Sequence, residues 1–277
     1  MKTTTTAANK ANRPFLLLTA AVDARNGAAC LFSKEERFKQ YLHTFRWYMR
    51  FLQKNPMLCR GLVFCENSEA DLSAFRALVP EDWKDRVEFI SLPMDGFRPE
   101  KGKTYNEMRT LDLAMERSEL LGPRDLFIKL TGRYPVRNIR RLAADVSSKQ
   151  DDISVCFFRW PEVRRFGSPH PALCDTRCIA IRKSVWDDCF KGLYKTADNA
   201  KHRHFETIAR EITDSHAGES GWIQGFSRPP LILGKQGGVK RVAGVAVPKW
   251  IEPALLLATY LLHWKILRSN RSTTRAR

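Results

Sequence analysis

The chain has 277 residues, 43% of them apolar, with 15 glycines, 14 prolines and 47 Lys/Arg against 30 Asp/Glu. That length allows one large domain or two small ones with a sizeable core, and the composition fits a globular chain, not a disordered one. A formal net charge of +17 points to an anionic partner, whether nucleic acid, a phosphorylated small molecule or an acidic membrane face.

The first thirteen residues read as a polar arm, and "FLLLTAAV" (15–22) as a first buried strand. This apolar stretch is too short and too late for the core of a secretion signal. "SKEERFKQYLHTFRWYMRFLQKN" (33–55) has a serine cap, acids in its first turn and apolar residues at 38, 41, 42, 45, 48, 49 and 52, one face of a helix. "RGLVFCENS" (60–68) predicts a buried parallel strand, "SEADLSAFRALVP" (68–80) a helix capped at Ser68 and closed by proline, and "RVEFISLPM" (86–94) a third strand.

"GKTYNEMRTLDLAMERSELLGPR" (102–124) reads as a glycine-lysine loop feeding a helix. "DLFIKLTG" is a fourth strand, "DISVCFFRW" (152–160) a fifth, "CIAIRKSVW" (178–186) a sixth that turns into a helix start, and "KHRHFETIAREITDS" (201–215) a further helix. Strands separated by helices, with no hairpin signal, predict an α/β fold with an open, mostly parallel sheet. Ligands of such sheets sit outside the carboxyl ends of the strands. Those ends carry Asp23, Glu66-Asn67-Ser68, Asp95 and Thr131-Gly132-Arg133.

Residues 228–277 form a basic segment, ten Lys/Arg against Glu252 alone. Within it, about 250–267 has Trp250 and Trp264 at its ends and Lys265, Arg268, Arg271, Arg275 and Arg277 following. With no run of eighteen apolar residues, nothing is expected to span a membrane; a helix lying on an anionic membrane, or one packed on the domain, fits this stretch. The seven cysteines are scattered and odd in number, which suits buried thiols in a reducing compartment. Cys174 and Cys178 lack a second Cys/His pair at zinc-finger spacing.

There is no G-x-x-x-x-G-K-[ST] loop and no G-x-G-x-x-G after the first strand, so the P-loop and dinucleotide readings fail. "GKQGG" (234–238) reads as a loop. The candidates for anion binding are Lys101, Lys103, Glu107, Lys129, Arg133, Tyr134 and Arg137. Gly132 would let the backbone approach a ligand, and Arg133 offers a fork of donors to a diphosphate. Alternation along a strand puts Lys129, Thr131 and Arg133 on one face. The plainer alternative is that Arg133 and Arg137 are solvated charges after a turn.

The segments "GKTYNEMRTLDLAMERSELL" and "DLFIKLTGRYPVRNI" resemble a group of bacterial glycosyltransferase-like proteins from surface-polysaccharide (lipopolysaccharide or capsule) gene clusters. The matching residues are Gly102, Lys103 and Glu107, then Phe127, Lys129, Thr131, Gly132, Arg133 and Tyr134. "LVFCENSEADL" (62–72) and "HFETIAREI" (204–212) are similar to the group's second strand and late helix, the latter at Glu206; Thr104 and Asn106 depart from its usual small residues.

The resemblance implies a GT-A-like nucleotide-sugar domain over 14–227 and transfer of a sugar from a nucleotide-sugar donor to a glycan or lipid-linked acceptor. It implies a cytoplasmic protein, peripheral on the inner face of the membrane. Members of that fold commonly hold a divalent metal with Asp-x-Asp after the fourth strand. This chain has no D-x-D; Thr131-Gly132-Arg133 stands in its place, so the expectation is no metal cofactor, with Arg133, Lys103 and Lys129 meeting the diphosphate. Glu206 is the candidate base, or else an acid favoured at a helix N-terminus by the dipole; Glu107 is a donor-binding acid, and Glu66 and Asn67 are candidate contacts to base or ribose, or else caps of the next helix. The competing readings are a basic nucleic-acid-binding protein, for which no motif or interleaving of aromatics with cations is visible, and a degenerate transferase that binds a sugar nucleotide without turnover.

Overall fold

The computed structural model describes residues 13–23, 32–93, 98–148, 155–160, 163–165, 168–170, 173–198, 201, 203–217, 219, 222–223, 226 and 230–232. The amphipathic segment expected at about 250–267 and the loop at 234–238 lie outside the described residues, as do residues 1–12 and His202.

The apolar runs become strands β1 (Phe15–Ala20), β2 (Leu62–Glu66), β3 (Val87–Ser91) and β4 (Leu126–Thr131), all mutually parallel in the order β3-β2-β1-β4. Every residue of β1 and β2 is buried, because helices cover both faces of the sheet. Leu16, Leu18, Phe64, Ile128 and Leu130 point to one side, where helix α1 (Lys34–Lys54) brings Tyr41, Phe45, Tyr48, Met49 and Leu52. Leu17, Val63, Cys65 and Phe127 point to the other.

Ser33 caps α1 as its sequence predicts: the hydroxyl accepts from the Glu36 amide and Glu36 returns a bond to the Ser33 amide at 2.8 Å. The helix expected over 68–80 is reduced to α2 (Ser73–Arg76), followed by a 3-10 segment at Glu81–Arg86. Ser68 caps nothing; it is buried and bonded to Glu66 and the Asp23 amide. Helix α3 (Gly102–Arg117) ends about two turns short of the expected segment's end, and helix α4 (Ile139–Ser148), absent from the sequence expectation, packs Ile139, Leu142, Ala143 and Val146 into the α1 layer.

Beyond β4 the sheet departs from the purely parallel pattern. Strands β5 (Val155–Trp160), β6 (Val163–Arg165), β7 (Ser168–His170) and β8 (Leu173–Arg182) follow, with β6 and β7 paired antiparallel to each other. Strand β8 begins five residues before the predicted Cys178 and runs antiparallel to both β4 and β5. A short β9 (Trp222–Ile223) pairs parallel with β5, so the sheet order is β3-β2-β1-β4-β8-β5-β9 and only β8 runs against the rest. The second layer consists of α3, the helical turn at Trp186–Phe190 and helix α5 (Phe205–Ser215), which starts four residues later than expected. No helix among the described residues is long and apolar enough to cross a membrane.

Cys59, Cys65, Cys174 and Cys178 are buried, and Cys189 is half-buried. Burial pushes the Cys59 thiol up to about 12 and raises Cys65 further, so neither forms a thiolate near neutrality. Timed iodoacetamide labelling of the native chain, read by peptide mass, should modify Cys189 well before these four.

Candidate functional site

The chain leaves β1 toward β2 and β3 on one side and returns to β4 on the other, so the strand order reverses between β1 and β4. In open α/β sheets that reversal opens a crevice at the carboxyl ends. Gly132 sits in it, donating its amide to the Thr19 carbonyl at 2.9 Å. A Cβ there would lie 2.8 Å from that carbonyl oxygen and 3.4 Å from the Tyr41 ring. The glycine therefore lets two strand ends and α1 close on one another, a packing reason for glycine beside the expected approach of a ligand.

Strand β4 ends at Thr131, and residues 132–133 form a turn, so strand alternation stops before Arg133. Thr131 is half-buried, and its carbonyl accepts from the Tyr134 amide at 3.0 Å. The Arg133 carbonyl accepts from Thr44 at 2.9 Å, and the Tyr134 carbonyl from Tyr48 at 3.2 Å, which fixes the turn on α1. The Arg133 guanidinium lies 5.6 Å from the Phe32 ring centroid and 5.1 Å from that of Tyr134, and Nη2 donates to the Tyr134 hydroxyl at 2.6 Å. Its Nη1 is buried and has no acceptor among the described residues. An orphaned guanidinium donor is costly unless a ligand meets it.

Lys129 is only 1% exposed. Its ammonium donates to Glu107 Oε1 at 2.5 Å and to the Thr176 carbonyl at 2.7 Å. It is thus a buried support, and its expected contact with a diphosphate is not available. Burial pushes the Glu107 carboxyl up, but Lys129 and then Lys103 outweigh burial and hold it below its ordinary value. Lys103 reaches Glu107 Oε2 at 3.8 Å with its side chain exposed, and the Glu107 and Glu206 carboxylates raise its pKa.

The helix start that presents Lys103 is built by two residues. Gly102 takes a left-handed backbone (φ 81) that favours glycine. Asn106 accepts from the Arg98 amide at 2.8 Å and donates to the carbonyls of Arg98 and Gly102 at 2.8 and 2.7 Å. One of the two departures from the resembled group's pattern is therefore the clasp of the helix start. Lys101 and Arg137 are exposed.

A cavity of about 340 Å³ is lined by Lys103, Thr104, Glu107, His204, Phe205 and Glu206. Glu206 stands in the first turn of α5, and its only hydrogen-bond partner among the described residues is the Thr176 hydroxyl, at 3.0 Å. Sequence reasoning missed Asp175, Thr176 and Arg177 on β8. Asp175 takes both Arg177 Nε and Nη2, at 2.9 and 2.6 Å, and Arg177 lies within electrostatic range of Tyr134 and Glu206. The signal was a polar Asp-Thr-Arg between two cysteines; the pair carries its own counter-charge, which lets it occupy a strand.

Glu66 is fully buried, and its carboxylate accepts from the amides of Val22, Ser68 and Ala70 (3.0, 2.8 and 3.0 Å) and from the Ser68 hydroxyl. It holds the ends of β1 and β2 together, and the expected contact to a nucleotide is replaced by this clamp. Asn67 donates Nδ2 to Thr110 Oγ1 at 2.7 Å, and Thr110 in turn donates to the Asn106 carbonyl at 2.7 Å. That chain fixes the amide orientation and leaves Asn67 Oδ1 buried without a donor among the described residues. No cluster of three or more His, Cys, Asp or Glu side chains suited to a metal occurs among the described residues.

No protein-family model matches the chain, and no curated protein matches it. Among solved structures it is similar to the 2-C-methyl-D-erythritol 4-phosphate cytidylyltransferase of Francisella tularensis, at 11% identity over 73% of this chain and 86% of that one, TM-score 0.40. It is similar to the inositol-1-phosphate CTP transferase of T. maritima, at 12% identity over 74% and 82%, TM-score 0.39. It is also similar to mouse xyloside xylosyltransferase 1, at 12% identity over 74% and 76%, TM-score 0.34.

Proposed function

We propose that this chain is a GT-A-like glycosyltransferase that moves a sugar from a nucleotide-sugar donor to a glycan or lipid-linked acceptor at the inner face of a membrane, with fixed cations in the place of a bound metal. The observation that carries the reading is Arg133: a guanidinium at the strand-order reversal, held by Tyr134 and leaving a buried Nη1 without an acceptor among the described residues. A diphosphate oxygen satisfies that donor.

In a direct displacement the acceptor hydroxyl attacks the anomeric carbon as its bond to the diphosphate breaks, and negative charge grows on the departing oxygen. Donors already in place stabilise that charge without reorganising; Arg133 and the exposed Lys103 supply them, with Arg177 nearby. Glu206, in the cavity beside Lys103 and with acceptor capacity beyond its Thr176 bond, takes the proton of the acceptor hydroxyl. Glu107 keeps the Lys103 ammonium directed at the cavity while Lys129 holds Glu107 from behind.

Thermal melts with a panel of uridine, guanosine and cytidine sugar nucleotides test this. A saturating donor should raise the melting temperature by roughly 5–10 °C, from about 2.7 kcal/mol at a hundredfold excess over Kd, equally with and without EDTA. Arg133→Ala should abolish the shift, and Glu206→Gln should keep it while lowering transfer by about 10²–10⁴-fold. No shift with any donor, or the same shift in Arg133→Ala, would overturn the assignment.

A further inference from the structure

Helix α1 has a face that the proposed chemistry does not use. Opposite its buried stripe it exposes Lys39, His43, Arg46, Arg50 and Lys54. At 100° per residue these five fall within an arc of about 80°, in a row about 22 Å long. No acid follows Glu36 on the helix, and Lys39, Arg46, Arg50 and Lys54 have no ion-pair partner among the described residues. In the same layer, α4 exposes Arg140 and Arg141, and Arg137 is exposed on the turn before it. Just past the end of the row Met57 is 71% exposed, the one large apolar side chain so exposed among the described residues.

We propose that this face docks the protein on an anionic phospholipid bilayer, with the α1 row meeting the headgroup phosphates and Met57 entering the interface. The charge is complementary: unpaired Lys and Arg side chains near such a surface each contribute, additively, to adsorption. The apolar tip decides between polyanions. A methionine gains from a hydrocarbon boundary, whereas single-stranded nucleic acid is held by a groove with aromatic platforms for its bases. Here the row stands on the outside of a helix, and its aromatic neighbour Trp47 is stacked on Phe51 of the same helix with centroids 6.3 Å apart. The inference is independent of the transfer chemistry.

Sedimentation of the full chain with vesicles of phosphatidylcholine, alone or mixed with phosphatidylglycerol, tests it. Wild type should bind the mixed vesicles and not the neutral ones. Each charge is worth about a fivefold change in partitioning, so Arg46→Gln/Arg50→Gln should weaken binding about thirtyfold, and Met57→Ser should weaken it further. Both changes are at exposed positions, so the melting temperature should not move, and the response to a nucleotide sugar gives a separate readout of the cleft. Unchanged vesicle binding in the double variant would overturn the proposal and move docking elsewhere on the chain. Wild type that ignores vesicles but binds a polynucleotide through the same arginines would overturn the choice of partner.

Discussion

Glu107→Ala should lower the melting temperature by roughly 10 °C. The carboxylate is the counter-charge of Lys129, which is 1% exposed between β4 and α3. Removing one partner of a buried pair costs about 3–5 kcal/mol, because the remaining charge is left without compensation, and each kcal/mol moves the midpoint by about 2–4 °C in a domain of this size. Glu107→Ala/Lys129→Met should recover most of the loss, since the stranded ammonium is gone and methionine fills the space. Thermal melts of the single and double variants check this; equal midpoints would refute the pair as the cause.

The same pair fixes the sign of a pH effect. The Glu107 carboxyl is held below its ordinary 4.5 in the folded chain, so its contribution to stability is fully present above that value and is lost as pH falls through the folded pKa. The gap in midpoint between wild type and the double variant should therefore narrow in acid and stay constant from neutral to mildly alkaline pH.

Strands β1, β2 and β4 were legible because strands covered on both faces leave nearly continuous apolar runs, broken within β4 by Lys129, and α1 because its cap and its period are both written in its residues. Strand direction has no such signature: nothing in "CIAIR" distinguishes a parallel from an antiparallel neighbour, so β8 was placed but not oriented. Its first half was lost because Asp175 and Arg177 look like loop residues until their mutual pairing is seen. At the site, sequence singled out Lys103, Glu107, Lys129, Arg133 and Glu206; the fold pairs Glu107 with both lysines, sets Glu206 on the same cavity as Lys103 and Glu107, and leaves Arg133 within electrostatic range of Lys103. It could not say which cations face a ligand. Lys129 and Arg133 are four residues apart, yet one is sealed under Glu107 and Thr176 while the other keeps a buried donor without an acceptor among the described residues. Gly132 signalled a close approach, and only the packing shows that Thr19 and Tyr41 are what approach.

Glu66 carries the second large effect, and it separates a clamp from a ligand contact. Its two carboxylate oxygens receive three main-chain amides and the Ser68 hydroxyl, which in turn receives the Asp23 amide. Glu66→Ala leaves those buried donors without an acceptor at about 1–3 kcal/mol each, and a loss of roughly 3–5 kcal/mol is expected after water fills part of the space. Glu66→Gln is the sharper variant. An amide oxygen placed at Oε2 keeps the Ser68 and Ala70 amides, and its NH₂ still meets the Ser68 hydroxyl, but that NH₂ then opposes the Val22 amide. One buried donor is lost, at about 1–3 kcal/mol, while size and shape are kept. Because the clamp ties the end of β1 to the end of β2, hydrogen exchange should quicken first at Val22 and Asp23, beside the crevice, with the amides of β4 less affected. If Glu66 instead contacted a nucleotide directly, Glu66→Gln would melt like wild type and differ only in its response to added nucleotide.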